Sequence, residues 1–195
     1  MTVNVRCMSD VSSLRRSETF MHEFTKATVR QRSRLVARAP LADIQFAALD
    51  HPDPFERRML LFFLDHYAND ESMHVFAAAL HDPVDFVRNI ALHSIACEPC
   101  KSEALCVTDV VPPLVELLHS DPSPELRMKS IGLLMRLARE DARARPAVEK
   151  AASEDCDAIV RRAARAALAG QVIQPRKRYQ RQQRQHAKLA RRASV

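Results

Sequence analysis

Asp82-Pro83-Val84-Asp85-Phe86-Val87-Arg88 has three partners that fall into register with it along the chain. They are His51-Pro52-Asp53-Pro54-Phe55-Glu56-Arg57, Asp121-Pro122-Ser123-Pro124-Glu125-Leu126-Arg127 and Asp155-Cys156-Asp157-Ala158-Ile159-Val160-Arg161. An arginine closes each segment, and the arginines follow one another at intervals of 31, 39 and 34 residues. A period of that size marks stacked helical hairpins, each of which can bury its apolar face only against its neighbours. Seven positions beyond each arginine stands a large aliphatic residue: Leu64, Ile95, Leu134 and Leu168.

Each of these segments reads as the start of a helix. Asp or Ser ahead of a helix can accept hydrogen bonds from its free N–H groups, and proline in the first turn loses no bond the helix needs. Apolar stretches follow the arginines, at Met59–Leu64, Ile90–Ala96, Ile131–Leu137 and Ala163–Leu168. A shorter apolar helix is expected before each corner, over Leu41–Leu49, Met73–Leu80, Val110–Leu118 and Ala147–Ala152. The pattern predicts four pairs, each a short helix, a Pro/Asp corner and a longer amphipathic helix. Leu64, Leu92, Ile95 and Leu134 are the expected core.

The Asp-Pro-x-x-x-Val-Arg element at 82–88 resembles the HEAT repeat, and the segment 109–139 is similar to an armadillo repeat. The resemblance covers residues 39–170 and implies an all-α solenoid of about four helix pairs. It also implies that corner aspartate and closing arginine pair within and between repeats, which singles out Asp82, Arg88, Asp121, Arg127, Asp155 and Arg161, with Arg57 in the first repeat. That first repeat departs from the pattern by carrying His51 where the aspartate should stand. The fourth carries Cys156 in place of proline and an alanine-rich second helix, as a terminal cap would.

Composition agrees with a helical reading. The chain has 195 residues, 47% of them hydrophobic, but only two glycines, Gly132 and Gly170. Tight β-turns and phosphate-cradling loops both rely on glycine, so a β-rich fold or a glycine-loop nucleotide site is disfavoured. No run of about eighteen apolar residues occurs, and the N-terminus lacks the apolar region of a secretory signal. Five cysteines, an odd number, fit reduced thiols in an intracellular compartment, cytoplasmic or nuclear by default. The Arg- and Ser-rich start would suit a mitochondrial presequence, against which Asp10, Glu18 and Glu23 count.

Charge divides the chain into three parts. Residues 1–38 hold eight Lys/Arg against three acids, residues 39–170 fourteen against twenty-one, and residues 171–195 eight against none. The net charges are thus +5, −7 and +8, an acidic repeat body between basic ends. Within the C-terminal segment Lys177, Arg181, Arg184, Lys188 and Arg191 recur at steps of 4, 3, 4 and 3, with Arg176, Arg178 and Arg192 beside them. On a helix these form one basic stripe of the kind that phosphate backbones attract. The alternative is a solvated tail, with Pro-Arg-Lys-Arg at 175–178 as a localisation signal and Ser194 as a basophilic kinase site. In the N-terminal arm, Ser17–Arg38 reads as a capping helix with Phe20, Phe24 and Val29 inward and Arg30, Arg32, Arg34 and Arg38 outward. A flexible arm fits the same residues.

Few residues are arranged for chemistry. His93, Cys97, Cys100 and Cys106 offer four N/S ligands in one short stretch, a weaker zinc signature than two separated ligand pairs. HEAT-like enzymes include deoxyhypusine hydroxylase, whose resemblance would require repeated His-Glu pairs. The only adjacent pair here is His22-Glu23, outside the repeats. No cofactor and no catalytic set is implied. The expected role is a protein-interaction scaffold without membrane insertion, working within a larger complex. The alternatives are a ribonucleoprotein or nucleic-acid accessory that touches phosphate through its basic ends and, at lower weight, a HEAT-like enzyme.

Overall fold

The computed structural model describes residues 11–97 and 109–171, and these are helical throughout apart from the connections between helices. The helices are α1 (Val11–Lys26), α2 (Val29–Val36), α3 (Leu41–Asp50), α4 (Pro54–Tyr67), α5 (Met73–Ala79), α6 (Asp85–Ala96), α7 (Val111–Ser120), α8 (Pro124–Leu137), α9 (Ala144–Glu154) and α10 (Ala158–Leu168). A single 3₁₀ turn, Asp70–Ser72, leads into α5. No strand occurs among the described residues. The described residues are all-α, with neighbouring helices packed in pairs, as a HEAT-like helical repeat requires. It divides into two compact units, Met1–Leu114 and Val115–Val195.

Local chemistry explains where the second helix of each pair begins. Asp53, Ser123 and Asp157 stand at the N-caps of α4, α8 and α10, and each accepts a hydrogen bond from the first turn. Pro54 and Pro124 occupy the first helical positions, where the missing N–H costs no helical bond. At the other end of α10, Gly170 takes φ 73°. Its N–H reaches Ala167 O at 3.0 Å and the next N–H, of Gln171, reaches Ala166 O at 2.9 Å. That is a Schellman ending, and the left-handed backbone it needs is cheap only for glycine.

In the first unit α3 packs on α4, α5 on α6, and α4 on α6, so the two hairpins lie side by side. Leu60, Leu61, Leu64 and Phe76 are fully buried between them, and Leu92 and Ile95 nearly so. In the second unit α10 packs against both α9 and α8. Leu118, Ile131, Leu134 and Val148 are buried there, with alanines filling the closer approaches of α9 and α10.

The N-terminal segment differs from a single helix over Ser17–Arg38. It breaks at Ala27–Thr28, where the Gln31 side chain accepts the Thr28 N–H at 2.8 Å and a second helix starts. Phe20 and Phe24 are buried as expected, and Phe24 meets the ring of Phe63 edge-on at 6.1 Å. Ser17 donates to the buried Asp43 carboxylate at 2.7 Å, tying α1 to α3. Two of the expected orientations are reversed by that break. Val29 opens α2 and is 74% exposed. Arg32 turns inward, over the Phe24 ring at 4.7 Å and onto Glu56 of α4 at 2.5 Å. Without a break, one continuous helix would carry both side chains at other angles, since each residue advances the face by a fixed turn.

Candidate functional site

The four aligned corners share one hydrogen-bond scheme. In each, the side chain of the corner residue accepts the backbone N–H two residues on. Asp82 takes Val84 N at 2.8 Å, Asp121 takes Ser123 N at 2.7 Å and Asp155 takes Asp157 N at 2.8 Å. The closing arginine then folds back and donates Nη1 to the backbone carbonyl of the same corner residue. Arg88 reaches Asp82 O at 2.8 Å, Arg127 reaches Asp121 O at 2.7 Å and Arg161 reaches Asp155 O at 2.5 Å. Within a repeat, therefore, arginine grips main chain.

In Arg57 and Arg127 the remaining face of the guanidinium reaches forward to the next repeat. Arg57 donates Nε and Nη2 to the two oxygens of Asp82, at 2.7 and 3.0 Å. Arg127 does the same to Asp155, at 2.9 and 3.0 Å. Side chains on both sides of these pairs are less than a tenth exposed. Such forked contacts are the strong kind of ion pair, because planar guanidinium matches carboxylate geometry and both groups are held before they meet. Burial pushes the Asp155 carboxyl upward, but hydrogen bonds from Arg127 and from the Asp157 N–H outweigh it and hold the group below the usual carboxylate range. Arg127 is raised in turn, chiefly by its hydrogen bond to Asp155.

His51 meets the same requirements with different atoms. Its Nδ1 accepts the Asp53 N–H at 3.1 Å, as an aspartate oxygen would, and its carbonyl receives Arg57 Nη1 at 2.7 Å. An N–H can only donate, so the ring proton sits on Nε2 and points to Thr25 Oγ1 of α1, 2.9 Å away. The histidine thus keeps the corner while turning its far side to α1.

An aromatic surface lies on α4 and α6. Phe55, Met59, Phe62 and His66 follow one another along α4 at steps of 4, 3 and 4, the spacing of a single helix face. Phe55 is 56% exposed and Phe62 44%. Phe55 stacks on Phe86 of α6 with ring centroids 5.0 Å apart, and His66 lies 4.2 Å from the Phe62 ring. Sequence reasoning passed over this face, although Phe55 and Phe86 occupy the same aligned column, two positions before the arginine. The signal was readable there: the other two repeats hold Glu125 and Ile159 in that column.

Of the four residues in the zinc pattern, His93 and Cys97 lie together at the end of α6, and Cys100 and Cys106 fall outside the described residues. A residue the pattern did not include joins the first two. Asp65, near the end of α4, is completely buried and comes within reach of both. It occupies a column that elsewhere holds Ala96, Met135 and Ala169, so a carboxylate there was the available signal.

The polyanion-stripe residues Arg176, Lys177, Arg178, Arg181, Arg184, Lys188, Arg191 and Arg192 all lie outside the described residues. Lys26 of α1, Arg34 of α2 and Arg38 just beyond it line an open groove together with Glu23 and His22. Among the described residues no helix is long and apolar enough to cross a membrane. In comparison with known proteins, a family model for HEAT repeats matches residues 100–169. No curated protein matches the chain.

Proposed function

Because the chain is a HEAT-like helical repeat protein, we propose that it is a protein-interaction scaffold whose docking surface is the aromatic face of α4 and α6. HEAT repeats are generally non-catalytic and mediate protein contacts, which supports the class of function. The observation that carries the site is the pair of exposed rings Phe55 and Phe62 on α4, with the half-buried Phe86 of α6 stacked on Phe55. Aromatic rings held rigidly at a surface lose little entropy on binding and anchor most interfaces. Phe55 and Phe62 are seven residues, or about 10 Å, apart along α4. That distance matches apolar side chains at i and i+7 of an amphipathic helix, which is the partner element the face fits.

Exchanging Phe55 and Phe62 for serine should leave the circular-dichroism spectrum and melting temperature near those of the parent. Binding to partners captured by the full chain and identified by mass spectrometry should weaken by roughly 30-fold or more, the loss of about 2 kcal/mol typical of an aromatic anchor. Undiminished binding by the folded double variant removes this surface from consideration.

A second reading rests on the eight bases and no acids of residues 171–195, together with the basic side of the α1–α2 groove. On that reading the ends of the chain contact phosphate while the body holds protein. Single-stranded RNA should then bind with a slope of about −6 in log K against log salt, for about eight phosphate contacts. Deleting 171–195 should abolish most of that slope. Binding that is absent in the full chain, or unaffected by the deletion, eliminates the nucleic-acid role.

A further inference from the structure

The carboxylate of Asp65 is held in an unusual way. Its Oδ1 receives Asn69 Nδ2 at 2.6 Å, and the same amide nitrogen reaches Ser94 O at 3.1 Å, so the group is oriented from behind. Its Oδ2 is buried and has no hydrogen-bond partner. Two histidines stand near without satisfying it. His66 Nδ1 is 3.8 Å away and already donates to Phe62 O at 2.9 Å, since a carbonyl can only accept. His93 Nε2 is 3.9 Å away, beyond hydrogen-bond range. A buried carboxylate oxygen left in this state costs more than an ordinary lost hydrogen bond, unless something cationic sits before it.

Cys97 completes the arrangement. It is the C-cap of α6, four residues after His93, so the helix turn brings the two side chains to one face. One ligand atom from each of Asp65, His93 and Cys97 lies within 4.8 Å of the other two, and His93 Nε2 is 3.9 Å from Asp65 Oδ2. Ligand atoms bonded to a tetrahedral zinc at about 2.0–2.3 Å stand roughly 3.3–3.7 Å apart, a contraction that small side-chain rotations supply. One carboxylate, one imidazole and one thiolate form a mixed O/N/S set suited to an ion of intermediate softness. His93 keeps most of its side chain in solvent, which gives the ion a route in and leaves room for a water as fourth ligand.

We propose that Asp65, His93 and Cys97 bind a zinc ion that clamps the end of α4 to the end of α6. The ion meets the unpartnered oxygen of Asp65 and links two neighbouring repeats at the edge opposite their corner ion pairs. None of the three ligands is among the rings Phe55, Phe62 and Phe86 on which the docking face rests, so the two readings are tested by different variants.

The test uses the full chain, freed of metal and titrated with Zn²⁺ alone against a chelating dye. It should take up one equivalent and melt at a higher temperature when loaded. His93→Ala and Cys97→Ala should each weaken uptake by about 100-fold or more, since losing even an outer-shell partner costs 10–100-fold. Asp65→Asn should weaken it comparably, and X-ray absorption of the loaded parent chain should find one sulfur among N/O neighbours. The absorption measurement stands even where Asp65→Asn fails to fold. The proposal is overturned by a chain that takes up no zinc, by uptake indifferent to the His93 and Cys97 variants, by a folded Asp65→Asn that binds as tightly as the parent, or by a site with three sulfurs.

Discussion

Arg127 serves two repeats with one side chain: Nη1 closes its own corner on Asp121 O, while Nε and Nη2 engage Asp155 of the next. Removing it leaves a nearly buried carboxylate with no counter-charge in contact and only the Asp157 N–H as a donor, so Arg127→Ala should cost about 3–5 kcal/mol in chemical denaturation. Arg127→Lys keeps the charge but not the fork and should fall between. The pair also sets a pH dependence. Asp155 is depressed in the folded chain, so its contribution is full above the unfolded carboxyl value of about 3.9 and is lost as pH falls through the lower folded value. The stability gap between parent and Asp155→Asn should therefore be widest near neutral pH and close below about pH 4. An unchanged gap in acid would mean the ionised carboxylate is not what the arginine stabilises. At this scale the sequence was informative about which residues matter and silent about their atoms. A spacing of six residues identifies Asp121 and Arg127 but does not say that the arginine takes the carbonyl of its own corner and the carboxylate of Asp155 in the next. The same gap made His51 look like a departure, because residue type suggested a lost charge while the corner needed only an acceptor and a carbonyl.

Helices were the most legible level, for a physical reason. Each second helix carries its own cap and its own apolar period, so Asp53-Pro54 and Ser123-Pro124 announce α4 and α8 before any packing is known. The expected core is buried: Leu64 and Leu134 are 1% and 0% exposed. Leu64→Ala and Leu134→Ala should each cost about 2–5 kcal/mol, read as a shift in denaturation midpoint at constant slope. A much smaller loss at Leu134 would mean that α8 settles onto α9 and α10 once the side chain is shortened. The N-terminal segment was harder to read because its break depends on one residue. Gln31 caps Thr28 only after the chain has turned, and no proline or glycine marks the place. Once α2 is separate, Arg32 finds Glu56 and Val29 is left in water, which a charge count along one unbroken helix cannot anticipate.

For the molecule as a whole, charge and surface carry the functional reading. The acidic body and basic ends are plain from composition. The aromatic face of α4 and α6 and the Asp65 group needed the fold, since both join residues from different repeats across about thirty positions of sequence. The two ladder contacts seen have a direction: Arg57 and Arg127 each reach toward the repeat that follows, and the aspartate they meet is supplied from there. His51 ends this series at one side. Its ring has no carboxylate to offer an incoming arginine, and its Nε2 is already committed to Thr25. In the vocabulary of chain growth, each such step has a head and a tail, and the head at His51 is sealed. A hairpin grafted ahead of His51 would arrive with an arginine and find no acceptor, whereas one grafted beyond Arg161 needs only to bring an aspartate of its own.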